Sequence, residues 1–97
     1  MRAIFHPDAD QEFQQAIETY QAESIALGVR FYRSVMEAAA RIEAYPKAWP
    51  RLRNDVRKCL VAEFPYQLLY TIEPERLYVV AVMHGKREPG YWAERMM

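Results

Sequence analysis

The sequence predicts an α+β domain made of an N-terminal strand, a helical hairpin and then a three-stranded antiparallel meander. Three observations carry this. The first half holds two stretches with apolar residues at helical spacing, and the second half holds three runs rich in Val, Leu, Phe and Tyr. Strands and helices do not alternate, so nothing demands a parallel α/β sheet. At 97 residues the chain is one domain, since cores divide only at larger sizes.

Residues 1–5 form a short apolar run that His6-Pro7 stops, because proline brings no amide donor to a ladder. Asp8 or Asp10 then offers a helix cap, and Glu12 adds negative charge to the first turn, where the backbone dipole favours it. Phe13, Ala16, Ile17 and Tyr20 line one face of this first helix. Gly28 breaks the pattern. From 29 to 45 the series Phe31, Tyr32, Val35, Met36, Ala39, Ile42 and Tyr45 defines a second helix that Pro46 ends, and the short join implies an antiparallel pair. Residues 47–54 show no period and read as a loop. Runs at 56–64, 66–72 and 77–84, separated by Pro65 and by Glu73-Pro74-Glu75-Arg76, read as the meander. Residues 85–97 read as a loop followed by at most a short helical turn. The expected core comprises Phe13, Ile17, Tyr20, Phe31, Val35, Met36, Ile42, Leu60, Leu69, Val80 and Val82, with one sheet face under the helices and the other left open.

Composition excludes several classes. A chain with 52% hydrophobic and 27% charged residues is neither disordered nor low-complexity. No apolar run approaches the roughly 20 residues of a membrane span, and no secretory leader is visible, so a cytoplasmic location without membrane attachment is expected. One cysteine, Cys59, forbids an internal disulfide, and two histidines supply no closed zinc set, so neither metal nor cofactor is expected.

Formal charge is zero overall but not locally. Residues 1–45 carry four basic against seven acidic groups, a balance of −3, which leaves +3 for residues 46–97. Lys47, Arg51, Arg53, Arg57 and Lys58 face only Asp55 in sequence, a pattern that suits a polyanion or an acidic peptide, or else a merely solvated face. The second local signal is the end of the last run, where His84, Arg87, Tyr91 and Trp92 fall close together. Histidine exchanges protons near neutral pH, arginine supports a phosphate, and tyrosine stacks or shares a proton, which are the needs of phosphodiester cleavage. A structural role for Trp92 as a packing anchor, and for a lone His84 at a strand end, competes with that reading.

Phe64-Pro65-Tyr66 leading to Tyr70, a strand ending in His84, and then Arg87, Pro89, Tyr91 and Trp92 resemble the C-terminal signature of the RelE/ParE toxin superfamily. Phe31, the break at Pro46 and Arg57 at the start of a strand extend the resemblance over nearly the whole chain. It implies a toxin of a type II toxin-antitoxin module, of the kind associated with growth inhibition and plasmid stabilization, held in a hetero-oligomer by a cognate antitoxin. RelE-like members cut messenger RNA on the ribosome without a metal, whereas ParE-like members poison DNA gyrase. By position, the resemblance implies Arg57, His84, Arg87 and Tyr91 as catalytic candidates, with Lys47, Arg51, Arg53, Lys58 and Trp92 as partner-binding candidates. No lysine cluster like that of the most basic ribonucleases is present. A non-toxic or decayed binding module of the same fold is the alternative.

Overall fold

A computed structural model describes residues 1–96; Met97, the last residue of the expected tail, lies outside the described residues. The elements run β1 (Ala3–Phe5), α1 (Pro7–Glu23), α2 (Ile25–Ala44), β2 (Arg51–Arg53), β3 (Val56–Leu60), β4 (Tyr66–Ile72), β5 (Leu77–His84) and a single 3₁₀ turn, Ala93–Met96. One five-stranded sheet has the order β1-β5-β4-β3-β2. β2 to β5 form an antiparallel meander, and β1 joins its far side parallel to β5.

The expected α+β architecture is present, with local differences. Residues 47–54 contain β2, so the meander has four strands; all three β2 side chains are exposed, which erases any alternation from the sequence. Asn54, with φ of 52°, turns β2 into β3 in the left-handed region that asparagine tolerates. The first helix is capped by His6 rather than by an aspartate, its Nδ1 accepting from the Asp8 amide at 3.0 Å, and Pro7 takes the first helical position, where its missing N–H is harmless. Ser24 ends α1 and caps α2, its hydroxyl accepting from the Leu27 amide at 3.0 Å. Gly28 therefore lies inside α2. A Cβ there would stand 2.9 Å from the Gln21 Cβ, so glycine sits where the two helices pass closest to their junction. Glu43 near the end of α2 accepts from the Ala3 amide at 2.7 Å, while Phe13 of α1 stacks on Phe5, an arrangement only an antiparallel hairpin allows.

Two apolar clusters flank the sheet. Under the helices, Phe13, Phe31, Val35 and Ile42 meet Cys59, Leu68, Tyr70, Leu77 and Val79. Burial pushes the Cys59 thiol up from its ordinary range, as befits an inert core group. On the opposite face, Val56, Leu69, Val80, Ala81 and Met83 lie beneath Trp92. That face, expected to be open, is thus partly covered by the chain's own C-terminal segment. A register shift between Leu69 and Tyr70 leaves one extra residue in β5, and this bulge lets the consecutive Val80 and Ala81 both join the second cluster. Met36 and Leu60 are not core residues: they are exposed, Leu60 at 61%, because their positions face away from the two packed layers. Ile17 and Tyr20 pack at the rim.

Candidate functional site

β5 fixes the geometry. On one side it pairs with β4 along its length, whereas on the other β1 covers only Leu77, Tyr78 and Val79. Past that point two β5 backbone groups are met by side chains: the Val80 carbonyl accepts from Arg95 Nη1 at 3.0 Å, and the Val82 amide donates to Glu12 Oε1 at 3.0 Å. Glu12 and Arg95 also bind each other in a two-pronged pair, Nη1 to Oε1 at 2.9 Å and Nη2 to Oε2 at 3.0 Å. Both side chains are mostly buried, 16% and 14% exposed, and the planar guanidinium fits the carboxylate fork. The Tyr91 hydroxyl donates to Glu12 Oε2 at 2.7 Å, completing a clasp that fastens the C-terminal segment to α1.

His84, Arg87 and Tyr91 come together as expected, around a cavity of about 220 Å³ that Glu12, Gln15 and Thr19 of α1 also line. His84 stands edge-on to Tyr66 at 5.1 Å between ring centres, and its Nδ1 accepts from the Lys86 amide at 3.0 Å, which leaves Nε2 as the outward nitrogen. Arg87 lies over the Tyr91 ring at 3.9 Å. Burial first, then the hydrogen bond and charge of Glu12, raise the Tyr91 pKa, so this phenol stays protonated and is a poor base.

Arg57 is not with them. It pairs across from Tyr70, whereas His84 pairs across from Tyr66, a separation of about 13 Å along the strands at ~3.3 Å per residue. Its guanidinium is held by the Trp49 carbonyl at 2.6 Å and the Lys47 carbonyl at 3.4 Å, a structural tie for the segment leading to β2. Lys47, Arg51 and Arg57 gather around a separate small pocket with Asp55.

The remaining candidates form a third group. Arg53, Lys58 and Arg87 surround a cleft of about 300 Å³ on the sheet face opposite the helices, with Leu52, Gln67, Met83, Pro89 and Trp92 in its walls. Trp92 is only 3% exposed, with the Arg53 guanidinium 5.4 Å above it, so it serves as the wall's anchor and offers no ring face for stacking. Among the described residues the ion pairs are Arg30 with Glu63, Arg76 with Glu73, and Arg95 with Asp8 and Glu12; the three cleft cations have none. Gly90 takes φ of +80° under Arg53, a conformation glycine adopts freely. Sequence reasoning missed Glu12, Arg95 and Gln67. Glu12 reads locally as an ordinary first-turn acid, and only its neighbours Ala9, Phe13 and Ala16 on the buried face hint that it points inward.

Two predictions arise here. Glu12→Gln is expected to lower stability by about 2 to 3 kcal/mol, since a mostly buried guanidinium loses its charged partner. Urea denaturation measures this, and trypsin should cut earlier after Arg87. Stability should also fall as pH rises above about 10, the ordinary tyrosine value. The sign follows from four raised phenols: Tyr20, Tyr66, Tyr91 and, most clearly, Tyr70, which donates to the Pro46 carbonyl at 2.6 Å and is pushed up to about 12 chiefly by burial. Each binds its proton more tightly folded than unfolded, so the folded state is disfavoured once the unfolded phenols ionise. Denaturation midpoints from pH 8 to 11 would show this decline, flattened in Tyr70→Phe.

Among the described residues no helix is long and apolar enough to cross a membrane. No curated protein matches the chain. A family model does: residues 3–89 match the ParE toxin of the type II toxin-antitoxin system parDE. The match spans β1 through β5 and the start of the C-terminal segment, including the clasp carboxylate and the cleft cations Arg53, Lys58 and Arg87. The chain belongs to the ParE toxin family of the RelE/ParE superfamily, and is a toxin of a type II toxin-antitoxin system.

Proposed function

We propose that this toxin arrests bacterial growth by binding its target, DNA gyrase, through the cationic cleft, and that a cognate antitoxin neutralises it in a cytoplasmic hetero-oligomer. The observation that carries the reading is the convergence of Arg53, Lys58 and Arg87 on one cleft with no acidic partner among the described residues. Like charges held together at a surface are unfavourable unless something anionic meets them, and they also speed encounter with such a partner. The incomplete gathering of the four catalytic candidates supports the same reading. Arg57 is tied to backbone carbonyls far along the sheet, and Tyr91 is held by Glu12.

Purified toxin should inhibit gyrase supercoiling, and the pair Lys58→Glu with Arg87→Glu should weaken inhibition by at least about tenfold, in line with losing more than 1.4 kcal/mol of binding. Full inhibition by the reversed-charge variant removes the cleft from the mechanism. Unchanged supercoiling at saturating wild-type toxin removes gyrase as the target.

A second reading rests on the cavity that gathers His84, Arg87 and Tyr91. There His84 Nε2 would move the proton and Arg87 would hold the scissile phosphate in ribosome-dependent messenger RNA cleavage. Cleavage that His84→Ala abolishes would favour it over gyrase binding. Normal growth on induction of soluble protein would instead mark a decayed member.

A further inference from the structure

The cleft beside the C-terminal segment has more than charge. Its walls combine three cations with the exposed edge-strand residue Leu52 and with Met83, whose flexible thioether adapts to different apolar shapes.

We propose that the cleft docks an extended peptide segment of the toxin's protein target, one that presents a carboxylate next to an apolar side chain. This rests on the reading of the cleft as the target-facing surface. The carboxylate sits among Arg53, Lys58 and Arg87, where bidentate guanidinium pairing is available. The apolar side chain fills the space between Leu52 and Met83. A volume of about 300 Å³ is at the lower end of ligand-sized pockets and suits one or two side chains rather than a folded element. Nucleic acid fits less well. Single strands are bound by a basic track with aromatic rings on which bases stack, and here the cations share one cleft while its aromatic wall residue, Trp92, is buried.

The test is a titration of the isotopically labelled full chain, followed by NMR, with the acetylated and amidated peptide Leu-Glu-Leu-Asp, its uncharged counterpart Leu-Gln-Leu-Asn, and hexathymidylate. The acidic peptide should shift the Lys58, Gln67 and Met83 amides and the Trp92 indole, with a dissociation constant on the order of 1 mM. The uncharged peptide should bind at least about tenfold more weakly. Leu52→Ser, which adds no charge and alters an exposed wall position, should weaken the acidic peptide several-fold with its circular dichroism unchanged. Equal binding of both peptides, no shifts at these positions, or tighter binding of hexathymidylate at them overturns the proposal. Growth arrest by Lys58→Glu with Arg87→Glu separates the two levels. If arrest is lost although the acidic peptide leaves wild-type protein unshifted, the peptide inference alone fails; if arrest persists, the target-facing role of the cleft fails.

Discussion

Trp92→Ala should destabilise the protein by about 3 to 5 kcal/mol, the range for removing a buried large aromatic, and should abolish growth arrest. Trp92 is the roof of the second apolar cluster, and without it Val56, Leu69, Val80, Ala81 and Met83 lose their cover. The loss exceeds that of one contact. Trp92 stands between Arg87 and Arg95 in the C-terminal segment, so its burial and the Glu12 clasp hold the same stretch of chain from two sides. Arg53, which lies over the indole, loses its platform at the same time. Chemical denaturation, read by circular dichroism, gives the stability change. Trp92→Phe, which restores much of the cover, should recover more than half of it, whereas equal stability of Trp92→Ala and wild type would mean that the segment contributes nothing to the fold.

Phe31→Ala should have a similar effect, about 3 to 5 kcal/mol, for a different reason. Phe31 is fully buried at the centre of an aromatic group, with ring centres 4.9 Å from Tyr20, 5.0 Å from Tyr66, 5.1 Å from Phe64 and 6.0 Å from Phe13. Three of the four are edge-to-face, and such pairs add about 0.5 to 1.5 kcal/mol beyond their buried area. Truncation removes several at once and leaves a cavity that α2, anchored by its capping serine, cannot collapse to fill. Against a total stability of about 5 to 15 kcal/mol, such a loss removes a large share of the folding free energy. Phe31→Leu should cost less than half as much. Comparable midpoints for Phe31→Ala and wild type would show that the helices dock on the sheet by other means.

What the sequence made legible were the features with a local period. Phe31, Val35 and Ile42 declare their helix face, and β4 and β5 declare themselves as long apolar runs. β2 was illegible because Arg51, Leu52 and Arg53 bury nothing, although Asn54-Asp55 is a turn signal between two basic stretches. The grouping of the site residues was half legible. His84, Arg87 and Tyr91 are close in sequence and share a cavity, whereas Arg57 and Lys58 are adjacent in sequence and point to opposite faces of β3, since they pair across from Tyr70 and Leu69. Strand alternation says that they must part, but not which face looks where. The clasp was out of reach, because Glu12 and Arg95 stand 83 positions apart and no local pattern joins them.

The clasp has one further consequence. A strand with half its flank bare is a template onto which another copy can zip, and sheets that keep such a flank tend to grow into ribbons and insoluble aggregates. By filling the Val80 and Val82 positions with a carboxylate and a guanidinium, this fold ends its sheet with ions instead of amides. One glutamate and one arginine thus act as the fold's own guard against one copy zipping onto another at this flank.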